Sequence, residues 1–400
     1  MLYRDRLNSA LTESREAFRE FSLKQNREAG LLERLLEEMG SIDRESILQR
    51  LGELENTGAL PSPEFDGSGG ITVPFEQEWD NHEDARRWAA SVLNGRTTFA
   101  ADGSQLYVEK ETTLPVGAVQ VGWFENPHDP ERDYVKDAEF EILSPADLYA
   151  DDGEPADPET RIGETRFHRE VEKAHEFLER KKGWKEAGEP MPLAFFDGTL
   201  LISFSLPQTR LQKGFVETIA ELVSASRRLG VPIVGYVDRS LSRDIVNFAS
   251  SFGGLDDSRR ISLTDASLIH GIPGLLKGWG SRTRFLYSNR RGMDVFKDPE
   301  TGLSSVGFFY LATSAGAPPA RIDVPAWIFE SGYLDEVADI IRSECVIGLG
   351  YPYPIESADA AALISRRDRD IFLRALQDFA HREKLNFNVS RKDTSKARRR

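Results

Sequence analysis

The sequence predicts an α/β protein, a mixed sheet flanked by helices with a helical extension at its N-terminus. Three observations predict it. Short runs rich in β-branched and aromatic residues begin near Thr97, and the second half alternates such runs with helical spacing. Residues 5–57 carry apolar positions at helical spacing among charges, with Leu31, Leu32, Leu35, Leu36 and Met39 on one stripe. An Asp-Gly pair followed by a small hydroxyl residue appears twice, each time after an apolar run, in Ala101-Asp102-Gly103-Ser104 and Phe196-Asp197-Gly198-Thr199.

Within the N-terminal helices, Gly40-Ser41-Ile42-Asp43 reads as a break with a new N-cap. The glycine- and proline-rich stretch 58–70 reads as a loop. Strands are expected at the first Asp-Gly run, at Val116–Phe124 and at Val135–Leu143, the first two pairing as neighbours. An acidic loop, 144–157, precedes a helix over 162–182. The second Asp-Gly strand follows, continuing to Leu206, then a helix over 211–229 and a buried strand over 232–237. Further helices are expected over 242–252 and 264–276, strands over 306–312 and 320–329, and closing helices over 334–345, 356–364 and 369–383. This order fits a ribonuclease-H-like sheet, with carboxylates on its first strand, a central strand and a flanking helix. The expected partition is 1–60 helical region, 61–94 linker and lead-in, 95–383 nuclease domain, and 384–400 a basic, disordered tail.

Composition narrows the function. With 40 % apolar and 29 % charged residues the chain is globular in type. No apolar run approaches the roughly 20 residues of a membrane span. The opening segment has no apolar signal core, and a cytoplasmic location is the expectation. A single cysteine, Cys345, excludes an intrachain disulfide and a cysteine-rich zinc site. There is no P-loop, no dinucleotide fingerprint and no nucleophile elbow. The net charge of −15 argues against a broadly basic DNA-coating surface and leaves room for a partner that delivers substrate.

Two carboxylates carried on different strands can converge on a hard divalent cation, as in nucleases that attack phosphodiesters in line with metal-held water. Asp102 and Asp197 are the first candidates. Glu170, on the helix before Asp197, is the next, with Arg166 four residues earlier to pair with it or to hold a phosphate. Tyr236 stands as a substrate contact, and Asp238 and Asp265 read as outer carboxylates or caps. Asp323 alternates with apolar neighbours and is expected to face away from the core. Arg282, Arg284, Arg290, Arg291 and Lys297, interleaved with Phe285, Tyr287 and Phe296, read as a segment tracking nucleic acid.

The ordered set formed by Ala101-Asp102-Gly103-Ser104, Arg166 with Glu170, Phe196-Asp197-Gly198-Thr199-Leu200, Val234-Gly235-Tyr236-Val237, Leu263-Thr264-Asp265, Arg321-Ile322-Asp323-Val324-Pro325 and Gly350-Tyr351-Pro352-Tyr353-Pro354 resembles the NurA family of DNA-end-processing nucleases. The resemblance spans about residues 95–365. It implies a Mn²⁺- or Mg²⁺-dependent 5′-to-3′ exonuclease with endonuclease activity, and a homodimer that docks on a hexameric HerA-type ATPase during double-strand-break end resection. It also implies a fourth ligand after the Tyr-Pro-Tyr-Pro segment. There the family tends to carry histidine and this chain carries Asp359. Two alternative readings are a non-catalytic adaptor or clamp for a DNA-translocating ATPase, and another ribonuclease-H-like nuclease acting on RNA.

Overall fold

The structure, a computed structural model, describes residues 3–67, 69–107, 113–149, 157–202, 209–255 and 261–388. Residues 150–156 of the acidic loop, 203–208 beyond the second Asp-Gly strand, and 389–400 of the basic tail lie outside the described residues. The chain forms two compact units, one of residues 1–78 with 236–329 and one of 79–235 with 330–400. The expected partition instead set the N-terminal helices apart as a region of their own.

The first unit opens with α1 (Arg4–Glu13), α2 (Arg15–Gly40) and α3 (Arg44–Leu51). The anticipated cap is present, since the Asp43 carboxylate accepts the Ser46 N–H at 2.7 Å. The stretch expected to be a loop instead contains β1 (Gly58–Pro61), a 3-10 turn at Pro63–Asp66 and β2 (Thr72–Val73). The unit's later segment holds α8 (Asp244–Phe252), α9 (Asp265–Gly271), β8 (Arg282–Thr283), β9 (Leu286–Asn289), β10 (Val306–Leu311) and β11 (Ala320–Pro325), and the chain leaves it within α10 (Ala326–Glu330). Strands run β1-β9-β10-β11, each antiparallel to the next, and β8 bridges β2 and β10. Every residue of β10 and β11 is buried. Leu32, Leu36 and Met39 are buried as α2 packs on α8, so this part of the leucine stripe completes the unit's own core. Residues 3–26 are almost wholly exposed, and α1 buries nothing.

The second unit contains α4 (His82–Leu93), β3 (Thr98–Tyr107), β4 (Gly117–Asn126), β5 (Val135–Leu143), α5 (Pro145–Leu148), α6 (Pro158–Lys181), β6 (Leu193–Asp197) and α7 (Arg210–Leu229). The chain crosses to the first unit inside β7 (Ile233–Val237). It returns with α11 (Leu334–Ile347), α12 (Tyr353–Ala362) and α13 (Arg366–Arg382). Helix α4 was missed because it fell inside the expected linker. The strand expected over 320–329 ends at Pro325, where the chain turns into α10.

Here the sheet order is β7-β6-β3-β4-β5. Strands β3, β4 and β5 form an antiparallel meander and β6 joins β3 in parallel, the arrangement expected of a ribonuclease-H-like sheet. Strand residues alternate between faces. A Cβ on Gly117 would strike Ile162 of α6, and one on Gly122 would strike the backbone of Ala361 and Ala362 in α12. Odd-numbered residues of β3, β4 and β5 therefore face α6, and even-numbered ones face α12.

One buried pair affects stability away from this sheet's open end. Glu344 on α11 is fully buried, and burial pushes its carboxyl up to about 8. Burial also holds the neighbouring His128 below its ordinary value. His128 Nδ1 lies 2.8 Å from the Arg96 carbonyl, and its Nε2 stands 3.3 Å from Glu344 Oε1. Between the ordinary carboxyl value of 4.5 and about 8, the folded chain holds a proton that the unfolded chain has lost. Stability at this group thus falls as pH rises through that window. His128 acts in the opposite sense only below its ordinary 6.5. Glu344→Gln should therefore flatten the decline of the thermal midpoint between pH 6.5 and 8 and raise the midpoint at pH 8. A variant whose midpoint falls as steeply as the parent's would show that Glu344 is ionised in the fold.

Candidate metal centre

Asp102 and Asp197 meet through strand register. In the parallel ladder Ala101 pairs with Phe196, which sets the next residues of the two strands side by side. β6 ends at Asp197 while β3 continues to Tyr107, held by β4 along its whole length. Asp102 is thus inside a strand and not at its end, as the sequence suggested. Beyond the end of β6, one edge of β3 forms a notch.

The two glycines do different work. Gly198 has φ 141°, outside the range of ordinary L-residues, and turns the chain after Asp197. Gly103 admits another group, since a Cβ there would lie 2.5 Å from Glu170 Oε1 and 2.6 Å from Arg166 Cγ. Helix α6 brings these side chains over the strand. It starts at Pro158 behind the Asp157 cap and buries Val171, Ala174, Phe177 and Leu178, with Phe177 stacked on Phe99 at 4.7 Å.

Glu170 is largely buried, and its Oε1 accepts no hydrogen bond. Burial pushes this carboxyl up to about 7. Arg166 opposes the shift, and the charges of Asp102 and Asp197 add to it. Arg166 lies 3.4 Å from Glu170 Oε1 and donates to the Gly103 carbonyl at 3.1 Å. It is the partner of Glu170 rather than a free phosphate clamp.

Asp359 comes from α12. Gln120 of β4 donates to the Ala361 and Ala362 carbonyls at 3.2 and 3.1 Å and fixes the end of that helix. Asp359 lies in the helix's C-terminal half, so the macrodipole gives it no support, contrary to the N-terminal placement that was its alternative explanation. It is instead hydrogen-bonded to Asp102. Burial, opposed by the Gly103 N–H, pushes Asp102 up to about 6, and the charges of Asp197 and Asp359 contribute. Tyr351, not singled out by the sequence, donates to Asp197 Oδ1 at 3.2 Å. Its place in the Tyr-Pro-Tyr-Pro run was the available signal.

Among the described residues, no three acidic, histidine or cysteine side chains already form a closed ion cage. Asp102 and Glu170 reach the notch from opposite faces. Their chemistry nevertheless suits a hard cation: four carboxylates, two with raised pKa, and a buried oxygen without a hydrogen bond.

The proposed nucleic-acid segment is a correction. Arg282 is buried and forms a fork with Glu64, at 2.9 and 2.6 Å, while Glu64 also accepts the Phe285 N–H. Arg284 donates to the Gly67 carbonyl at 2.8 Å and lies over Phe65. Arg290 clasps Asp244, which also binds the buried Arg321. Removing one member of such a pair costs about 3–5 kcal/mol, so these cations are not available to phosphates. Phe285, Tyr287 and Phe296 are core residues. Of the four arginines, only Arg291 is exposed. Tyr236 is fully buried, donating to Thr313 Oγ1 at 3.4 Å, and is a core side chain. Asp265 is a cap, accepting the Asp244 and Val246 N–H groups at 2.8 and 2.9 Å. Asp323 is buried against Arg321 instead of facing outward.

Among the described residues no helix is long and apolar enough to cross a membrane. No curated protein matches the chain. A crystal structure of NurA matches with TM-score 0.39 and 8 % identity, covering 71 % of this chain and 89 % of that one. The C-terminal lobe of a budding yeast Argonaute matches with TM-score 0.26 and 11 % identity, covering 73 % and 51 %. The assignment rests on the family model for the NurA domain, which matches residues 96–364 and so spans the notch with all four of its carboxylates: the chain belongs to the NurA domain family.

Proposed function

We propose that this chain is a metal-dependent nuclease that resects DNA ends, with 5′-to-3′ exonuclease and endonuclease activity and Mn²⁺ or Mg²⁺ as cofactor. The observation that carries this reading is the meeting of Asp102, Asp197, Glu170 and Asp359 at the notch where β6 stops. A bound divalent cation would supply the positive charge that activates water and offsets charge on the phosphodiester. Asp102 and Asp197 would hold it from adjacent strands. Asp359 would complete the oxygen set in place of the family's histidine. Glu170 stands ready on the opposite face, with Arg166 fixing its carboxylate. Tyr351 holds Asp197 by its hydroxyl and limits the rotamers open to it.

Asp102→Asn or Asp197→Asn should preserve the circular dichroism spectrum and lower cleavage of end-labelled DNA by more than ~100-fold, since loss of even an outer-shell partner costs about 10–100-fold. Near-parental cleavage by a folded variant would remove the residue from the site. Asp359→Ala should raise the Mn²⁺ concentration needed for half-maximal cleavage, and Asp359→His should restore much of it. An unchanged titration would leave Asp359 a helix residue only.

The proposed partners are a second copy of the chain and a hexameric HerA-type ATPase, with cytoplasmic location. Tyr3, Leu7 and Leu11 recur every four residues on exposed helix, followed by exposed Phe18 and Phe21. The arm before residue 24 is therefore the candidate partner surface. Glu28 accepts the Ser262 N–H and hydroxyl at 2.9 and 2.7 Å and anchors the rest of α2. Deleting residues 1–23 should leave cleavage of short oligonucleotides intact and reduce ATPase-stimulated resection. A truncated chain that stays dimeric and fully stimulated would exclude the arm from both contacts.

A further inference from the structure

Strand β5 closes one end of the second unit's sheet, and among the described residues it pairs only with β4. Unpaired strand edges are templates for another chain, and proteins blunt them with proline, a bulge, a cover or charged side chains; the charges on this edge are acidic apart from Lys136. This one is nine residues long and contains no proline or glycine. Its residues from Val135 to Phe140 are all exposed, as is Ile142. The Ala138 N–H donates to the neighbouring Asp137 carboxylate at 2.8 Å.

The two faces of β5 differ in chemistry. Toward α6 it presents Asp137, Glu139 and Glu141. Lys173 and Arg169 reach Glu139 and Glu141 at 2.7 Å each, but both cations are shared with Glu176 and Glu172, so acid remains in excess. Toward α12 and α13 it presents Ala138, Phe140 and Ile142, with Lys136 at the end of the row. Phe140 meets Phe372 of α13 with ring centroids 6.2 Å apart. Helix α13 buries only Ala380 of its seventeen residues; along its apolar stripe Phe372 is half-buried against Phe140, and Ile371 and Phe379 are exposed.

We propose that β5 and the α13 stripe dock an extended segment of a protein partner in which lysine or arginine alternates with apolar residues. Added as a strand, it would pair its main chain with the free edge, set its basic side chains beside the acidic row and lay its apolar ones against α13. A second copy of this chain does not meet these requirements. Antiparallel self-pairing about a two-fold axis keeps odd residues opposite odd ones, so Asp137, Glu139 and Glu141 would face one another. The inference is independent of the nuclease reading.

The probe is a fluorescent nine-residue peptide alternating lysine and valine, titrated by anisotropy against the full chain. The controls are the same peptide with N-methylated valines and a peptide of equal composition with lysines and valines segregated. Saturable one-to-one binding is expected, weakened at least tenfold by either control and at least tenfold by Asp137→Lys or Ile142→Lys. Both variants change exposed side chains, and circular dichroism checks their fold. Equal binding of all three peptides would mean charge attraction without strand addition and would overturn the proposal. So would no binding, or self-association of the chain that Ile142→Lys abolishes without any peptide binding.

Discussion

The parallel ladder between β3 and β6 is the interaction on which the candidate site depends. It pairs Ala101 with Phe196 and so sets Asp102 beside Asp197, and β6 then stops. Strand β4, paired with β3 over ten residues, keeps the remaining edge straight past that end. Two helices use the same strands as a floor. Glycines at 103, 117 and 122 remove the side chains that would hold α6 and α12 away, and the carboxylates of Glu170 and Asp359 arrive as a result. Shifting the ladder by one residue would put the two aspartates on opposite faces of the sheet.

Much of this was legible in the sequence. The repeated Asp-Gly pairs, the helix before the second of them and the pairing of the first two strands all follow from periodicity and turn chemistry. What was not legible depends on long-range partners. Arg282, Arg284 and Arg290 amid aromatics look the same whether they bind phosphate or sit in a core. The difference lies in Glu64, Gly67 and Asp244, distant in sequence. Strand β1 was hidden because Gly58 and Pro61 suggest a loop, and only the pairing with β9 makes them a strand. Asp323 alternated correctly, but both faces of β11 are buried, so alternation carried no information about exposure.

Burial raises the pKa of three carboxyls in the second unit, and their surroundings separate them. Glu344 is sealed, with one imidazole beside it and no other acid contributing to its shift. Asp102 and Glu170 are pressed by other carboxylates and keep partial access to solvent. A proton is a poor answer to several acids at once, because it neutralises one of them and leaves the others. A divalent charge answers them together. A raised pKa alone therefore does not mark a site.

Gly103 and Gly198 occupy the same place in two near-identical tetrapeptides, yet they are homonyms. The second is a statement about backbone torsion, because its φ is closed to residues with a Cβ. The first is a statement about volume, because a carboxylate and an arginine stem fill the space a methyl would take. Residue 103 therefore belongs, in effect, to the helix above it. Any side chain placed there would act as a wedge under α6 and lift Glu170 from the notch, while leaving the strand itself intact.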